Sequence, residues 1–320
     1  MDASDRIGKR LKLRDLQILQ ATAAAGTMVK AANDLAITQP AVSYAIAEME
    51  HALGVPLLER SSQGVTPTVY GEVLLERSRA VFNELRQGIN EIGSLADPSG
   101  GELRLGTTPP MSAIASAVLN QVVPRYPRMT FTLTVGPTDV LLQAMRQRDI
   151  ELVISRLADF VADEDLNVDT LFHDELAVIC SKSNKWTRRR GVKLVDLITE
   201  PWVFPPASGF LTKIIRSAFA AEGLDVPRAT VTTQSTYALS VLVANGPFLA
   251  MNPSAMLTTP NDHPLLTAVD VKVRKTRGPI GLITLKNRSL SPVAKLFLRF
   301  AADVVKAIPR TGQSPARKSR

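Results

Sequence analysis

The sequence predicts an α+β multidomain protein with a helical N-terminal head, a long connecting helix and a larger α/β body. Three observations carry this. Residues 13–95 keep a helical apolar period apart from one hinge near residues 54–68. Pro and Gly then break the chain at Asp97-Pro98-Ser99-Gly100-Gly101. Beyond that break, short β-rich runs alternate with amphipathic helices, the pattern of a mostly parallel sheet with helices on its faces. A length of 320 residues suits two or three domains.

Composition excludes several classes. Apolar residues at 45% and charged residues at 21% are ordinary for globular chains and argue against general disorder. The single cysteine, Cys180, permits neither an internal disulfide nor a CxxC metal knuckle, and it fits a reducing compartment. His51, His173 and His263 lie too far apart for a metal-ligand spacing. The start, Met1-Asp2-Ala3-Ser4-Asp5-Arg6, lacks the apolar core of a signal peptide. The charge-free stretch 229–261 is long enough to cross a bilayer. Gln234, Asn245, Pro247, Asn252 and Pro253 interrupt it, so it reads as a buried or cleft-lining part of a soluble domain. Cytoplasmic placement and no membrane contact follow as expectations.

In the head, Leu13, Leu16, Ile18, Leu19 and Ala23 give the first helix an apolar face, and Gly26-Thr27 stops it. Thr27 is placed to cap a short second helix over residues 28–35, with Val29, Ala32 and Leu35 directed inward. Ile37-Thr38 forms the turn. Thr38 caps a third helix with Pro40 in its first turn, where a missing N–H costs nothing. Val42, Ile46, Met49 and Leu53 make its buried stripe. The opposite face opens with Gln39, Ser43 and Tyr44, polar groups of the size that reads base edges in a major groove. A plain three-helix cluster with a solvated polar face is the competing reading.

The run Ala31-Ala32-x-x-Leu35-x-Ile37-Thr38-Gln39-Pro40-Ala41-Val42-Ser43 resembles the helix-turn-helix signature of LysR-type transcriptional regulators. So do Glu50-x-x-Leu53-Gly54-x-Pro56-Leu57-Leu58-x-Arg60 and Val65-x-Pro67-Thr68-x-x-Gly71. The resemblance implies a winged helix-turn-helix, a linker helix and two α/β subdomains like those of periplasmic binding proteins. It implies that Gln39, Pro40 and Ser43 open the recognition helix, with Gln39 suited to a bidentate contact to adenine. Residues 54–68 are then the wing, with Arg60 and Thr68 near the DNA backbone or minor groove, Thr27 and Lys30 are candidate phosphate contacts, and Thr38 counts among the DNA-binding residues beside its cap role. Tyr44-Ala45, Leu58 and Ser62-Gln63-Gly64 depart from the common pattern. Contacts at Tyr44, Ala45 and Gln63 are therefore not carried over, and Tyr44 is equally suited to base readout, backbone packing or solvent exposure.

The long helix carries Leu74, Val81, Leu85 and Ile92 as a narrow apolar seam beside Glu72, Glu76, Arg77, Arg79, Glu84 and Glu91, which wants a partner helix. The family resemblance implies a homodimer on a roughly palindromic operator in double-stranded DNA, a homotetramer built on it, and RNA polymerase as a further partner. The expected division is 1–68 for the DNA-binding head, 69–97 for the linker, 98–308 for the effector-binding body and 309–320 for a disordered basic tail. Within the body, one lobe takes about 101–167 and 267–308, and the other about 168–266.

The body shows no GxSxG, HExxH, Walker A or GxGxxG motif, so no catalytic role and no cofactor are expected. A small-molecule effector of unknown identity is expected at the C-terminal strand ends. Candidates there are Thr107 and Thr108 after one strand, Thr138 after the next, Arg156 after a third, and Phe204, Pro205 and Ser208 in the second lobe. Arg156 is suited to clamping a carboxylate, which points to a small organic acid. Blander readings stand beside these: Thr107, Thr138 and Ser208 as helix caps, Phe204 as core, and Arg156 paired with Asp159 or Glu175. Two functional alternatives also remain, a cytoplasmic small-molecule binding protein and an enzyme acting on a small acid. The net charge of +8 is no guide to the DNA reader: residues 1–97 hold ten Lys/Arg against twelve Asp/Glu. Their local basic patch is Arg6, Lys9, Arg10, Lys12 and Arg14.

Overall fold

The computed structural model describes residues 11–307 apart from Gln63, Pro98, 158–162, Ser208, Gly209, 258–263 and Asn287. Arg6, Lys9, Arg10, Gln63, Asp159, Ser208 and the tail 309–320 therefore lie outside the described residues. Two compact units emerge. One holds the chain to Ile89 with Arg146–Asp149, and the other holds Asn90–Met145 and the chain from Ile150 onward.

The first unit begins with α1 (Leu13–Ala25), α2 (Met28–Asp34) and α3 (Gln39–Leu53). Gly26 ends α1 with φ 70°, the left-handed conformation that glycine adopts without cost. The three helices close over Ile18, Leu19, Ala32, Val42, Ile46 and Met49. Val29 is 61% exposed, contrary to the inward face expected of it; Ala32 is buried as expected, and Met28 and Ala31 are buried with it. In so short a helix the apolar arc is set by the residues that meet α1 and α3, and Val29 falls outside it.

The hinge at 54–68 is an antiparallel hairpin of β1 (Leu58–Ser61) and β2 (Gly64–Pro67). Glu50 of α3 holds its root, accepting from the N–H groups of Leu57 (2.8 Å) and Leu58 (3.2 Å). Val65 N–H donates to the Gly26 carbonyl at 2.8 Å, tying the hairpin to the end of α1. Helix α4 (Val69–Ala96) follows. Its Leu75 enters the head core, and an added Cβ at Gly71 would collide with the Leu57 carbonyl. Asn83 in mid-helix donates to the Gln147 carbonyl (2.7 Å) and to Asp149 Oδ1 (2.8 Å), which explains why that short segment belongs to this unit.

The second unit contains two five-stranded sheets. The first has the order β4 (Arg128–Val135), β3 (Gly100–Thr107), β5 (Leu152–Arg156), β12 (Gly278–Leu285), β6 (Leu166–Asp174). Alternation along the strands sends Leu103, Leu105, Leu152 and Ile154 to one face, under α5 (Ser112–Val122) and α9 (Pro292–Ala307). Val153 and Ile283 point to the other face, under α6 (Thr138–Arg146). The buried Glu151 carboxylate fixes α9 by accepting from the Ser291 N–H (2.5 Å) and hydroxyl (2.9 Å).

The second sheet has the order β11 (Leu266–Ala268), β7 (Leu176–Ser181), β10 (Leu249–Pro253), β8 (Trp202–Phe204), β9 (Ala229–Thr232). Trp202, Phe204 and Met251 pack under α7 (Phe210–Ala220), while Val203 and Ala250 pack under α8 (Thr236–Asn245). All of β10 is buried, so part of the charge-free stretch 229–261 sits in this core.

Two expectations need correction. The sheets are mixed rather than mostly parallel: β12 runs antiparallel to β5 and β6, and β7 antiparallel to β10 and β11. These strands pass directly between lobes without a helical crossover, which frees them from parallel pairing. The first crossing also falls at Asp174-Glu175-Leu176, not near residue 167. The whole of β6 pairs with β12 in the first sheet, from Leu166↔Leu285 to Asp174↔Gly278.

Candidate DNA-reading surface and effector site

The start of α3 is built as a presented edge. Thr27 caps α2 by accepting from Lys30 N–H (3.2 Å), and Thr38 caps α3 by accepting from Ala41 N–H (3.4 Å). Pro40 sits in the first turn of α3. Val42, Ala45, Ile46 and Met49 face the core, which turns Gln39, Pro40 and Tyr44 to solvent, with Ser43 half-buried beside them. Tyr44 is 69% exposed. Lys30 is exposed on α2, and Arg60 is exposed on β1 opposite Val65. The structure thus gathers Thr27, Lys30, Gln39, Pro40, Ser43 and Tyr44 on the helix-turn-helix and puts Arg60 on the hairpin.

Thr68 departs from this set. It is buried, its hydroxyl donates to the Pro56 carbonyl (2.7 Å) and accepts from Gly71 N–H (3.0 Å), and its own N–H donates to Leu57 (2.9 Å). The side chain caps α4 and locks the hairpin root, which leaves nothing to offer a phosphate.

In the first lobe, the ends of β3, β4 and β5 converge on two helix starts. Thr107 is wholly buried and donates to the Ile154 carbonyl (3.2 Å), so its hydroxyl cross-links β3 to β5. Thr108 follows it, half-buried, leading through the short turn Pro109–Met111 into α5. Thr138 opens α6, but its hydroxyl meets that of Ser155 at 3.2 Å, while the Pro137 carbonyl accepts from Leu141 N–H. Thr138 is therefore not spent as a cap. Thr108, Thr138 and Ser155 place hydroxyls beside the N-termini of helices, a setting that favours anionic ligands.

Arg156 occupies a different place from the one expected. Its Nη2 donates to the backbone carbonyls of Thr276 and Asp174 (3.4 Å for the latter), the residues that flank the two crossings between lobes. Gly278 lies under the guanidinium; a Cβ there would sit 2.8 Å from Nη2. Nη1 is buried with no hydrogen-bond partner among the described residues. Burial pulls the guanidinium below its ordinary pKa, and the charge of Asp174 opposes this. Asp174 is itself buried and accepts from the Ser254 hydroxyl (2.5 Å) and Ala255 N–H (3.2 Å). Burial pushes its carboxyl above the usual range, against those hydrogen bonds and Arg156. No ion pair joins Arg156 to Glu175 among the described residues. Arg156, Asp174, Ser254 and Thr276 form one buried polar knot where the chain passes between lobes. Sequence reasoning found only Arg156, because the other three become neighbours through strands far apart in the chain.

In the second lobe Phe204 is core, stacked on Trp202 with ring centroids 5.0 Å apart, and Pro205 follows it half-buried at the strand end. Ser235, which sequence reasoning missed, caps α8 by accepting from Ala238 N–H (3.1 Å). Its Ser-Thr-Tyr context at the end of a strand was the available signal. Cys180 is buried in β7, and burial pushes its thiol up to about 11, which keeps it protonated and unreactive. Among the described residues no group of three His, Cys, Asp or Glu side chains is placed to hold a metal, and no helix is long and apolar enough to cross a membrane.

The comparisons with known proteins agree on both parts of the chain. The family described as bacterial regulatory helix-turn-helix protein, lysR family, matches residues 13–72, and LysR substrate binding domain matches residues 96–306. The HTH-type transcriptional regulator GbpR of Azospirillum brasilense is 28% identical over 92% of this chain and 87% of its own. The HTH-type transcriptional regulator TdcA of Escherichia coli (strain K12) is 27% identical over 91% of this chain and 93% of its own. Among solved structures, full-length CbnR in complex with its target DNA has the same fold, with a TM-score of 0.69 at 22% identity, over 93% of this chain and all of that one.

Proposed function

Because this chain belongs to the LysR family of transcriptional regulators, we propose how its residues divide the work of an effector-switched DNA-binding protein. The chain is a regulator with a helix-turn-helix and an effector-binding domain, not an enzyme. Gln39, Pro40, Ser43 and Tyr44 read bases from the major groove. Thr27, Lys30 and Arg60 hold phosphates and fix the register of the reading helix. Two copies pair through α4, which brings two reading helices to a roughly palindromic operator, and pairs of dimers make a tetramer. The protein works in the cytoplasm, at the nucleoid, and its bound form meets RNA polymerase.

The effector is a small organic acid. The observation that supports this reading is the half-buried Thr138 hydroxyl at the start of α6, held by the buried Ser155 of β5 rather than used as a cap, with Thr108 at the approach to α5 tied by its N–H to the Ile154 carbonyl next to Ser155. Pro205 and its neighbours at the end of β8 supply the opposing wall from the second lobe. Arg156 acts from beneath: its guanidinium sets the crossing strands, so it governs how lobe closure is transmitted rather than gripping the ligand. A ligand shifts DNA binding only if it prefers one lobe arrangement over the other.

The test is a gel shift on the DNA upstream of the protein's own gene with a panel of small organic acids. One acid is expected to change the mobility or affinity of the complex, and Thr138→Val to raise the concentration needed by about tenfold or more while leaving effector-free DNA binding unchanged. An unaltered dose response in Thr138→Val would remove this hydroxyl from the site.

A further inference from the structure

The charge of this protein is distributed in a way its helix-turn-helix does not explain. Residues 1–97 carry a net charge of −2, although they include the DNA reader. The first lobe, 98–174 with 278–304, carries −1, whereas the second, 175–277, carries +6. The surplus is concentrated in two stretches. Lys182–Lys193 holds six Lys/Arg and Lys272–Arg277 holds four, with no acidic residue in either.

The fold brings these stretches together. Val192 and Val271 form a parallel bridge, Val192 N–H donates to the Asp270 carbonyl (3.0 Å), and Gly191 N–H donates to the Asp270 carboxylate (3.4 Å). All ten cations are exposed. Only Lys185, Arg190 and Arg274 form ion pairs among the described residues, with Glu200, Asp270 and Glu222. Trp186, buried beneath, anchors the patch: Lys185 Nζ lies 5.4 Å and Arg189 Cζ 5.0 Å from its ring centroid. The cations therefore project from a rigid base.

We propose that this basic face of the second lobe binds the phosphodiester backbone of double-stranded DNA, as a second contact surface in addition to the helix-turn-helix. Charge complementarity carries the assignment. Exposed like charges repel one another, and a dense cluster in which seven of the ten cations have no ion-pair partner among the described residues is matched by a regularly spaced polyanion. Phosphate contacts supply most of the sequence-independent affinity of a DNA-binding protein, and the head, with a net charge of −2, carries no surplus of its own beyond its local basic patch. Arginine, which dominates the run 188–190, is the residue whose fork matches phosphate oxygens. No base reading is assigned to this face; it adds affinity and salt dependence.

The experiment measures binding of the full-length protein to a 60-base-pair duplex of arbitrary sequence by fluorescence anisotropy across a salt series. Arg188, Lys193 and Lys272 are exposed and outside the ion pairs, so Arg188→Gln, Lys193→Gln and Lys272→Gln are combined in one variant. Loss of three phosphate contacts should make the slope of log K against log salt shallower by about 2.7. The charge-retaining variant Arg188→Lys, Lys193→Arg and Lys272→Arg should keep the wild-type slope. Binding by the wild type reports on DNA binding as such; only the difference between variants reports on this face. An unchanged slope in the glutamine variant would overturn the proposal and point to an acidic protein partner. An equal change in both variants would also overturn it, by showing that local structure rather than charge was altered.

Discussion

At the scale of single residues, position within a cap separates reading groups from structural ones. Thr27 and Thr38 accept hydrogen bonds at helix starts while staying exposed, so their hydroxyl protons remain available to DNA. Thr68 has the same side chain but is buried and spends it in both directions. Thr68→Val is therefore expected to lower head stability by about 1–3 kcal/mol, by orphaning the Pro56 carbonyl and the Gly71 N–H. Thermal unfolding of the variant checks this; weaker DNA binding at unchanged stability would restore Thr68 to the interface. Gln39 is the opposite case, exposed in the first turn of α3 with no side-chain hydrogen bond to another of the described residues. Gln39→Ala should weaken operator binding by about 1–3 kcal/mol while sparing binding to arbitrary DNA. A parallel loss on both would make Gln39 a phosphate contact instead. The helix-turn-helix residues were legible from sequence because capping and apolar spacing are local. The fate of Thr68 was not, since its partners at Pro56 and Leu57 depend on how the hairpin folds back.

At the scale of elements, α4 is the piece whose surface is unfinished. Leu75 is taken into the head core, yet Val73, Val81, Leu85, Ile89, Ile92 and Leu95 all stay exposed along one 28-residue helix, about 42 Å long. Their spacing of three, four and eight residues keeps most of them on one side, as an apolar stripe that water disfavours. The sequence seam of Leu74, Val81, Leu85 and Ile92 identified this stripe except at its start, where Leu74 packs against the head. Val81→Glu with Leu85→Glu should shift the protein from dimer to monomer in sedimentation and sharply reduce operator affinity, with the head still folded. A dimer of undiminished stability would place the interface elsewhere. Alternation of strand and helix beyond residue 101 was equally readable. The strands β6, β10 and β11 are the hardest to read from local sequence, for a physical reason. Each is defined by pairing with a remote partner, and β6 carries Asp, His and Asn at positions that read as loop.

At the scale of the whole molecule, the body is two α/β/α lobes joined by two crossings, and the polar knot of Arg156, Asp174, Ser254 and Thr276 sits at those crossings. The sequence placed Arg156 at a strand end and read it as a ligand clamp. The knot exists only after residues 120 positions apart meet, which no local pattern encodes. Net charge was the least informative sequence property about the reader and the most informative about the second lobe, because it gains meaning only once its surface distribution is known. On the function proposed above, an organic acid in the body alters how paired heads hold DNA. Footprinting of the full-length protein on its own upstream DNA, with and without the acid selected by gel shift, tests this most directly. The expected result is protection over two half-sites in helical phase, with the extent or flanking pattern changed by the acid and both features lost in Gln39→Ala. A footprint confined to one half-site, or identical with and without every acid in the panel, would contradict it.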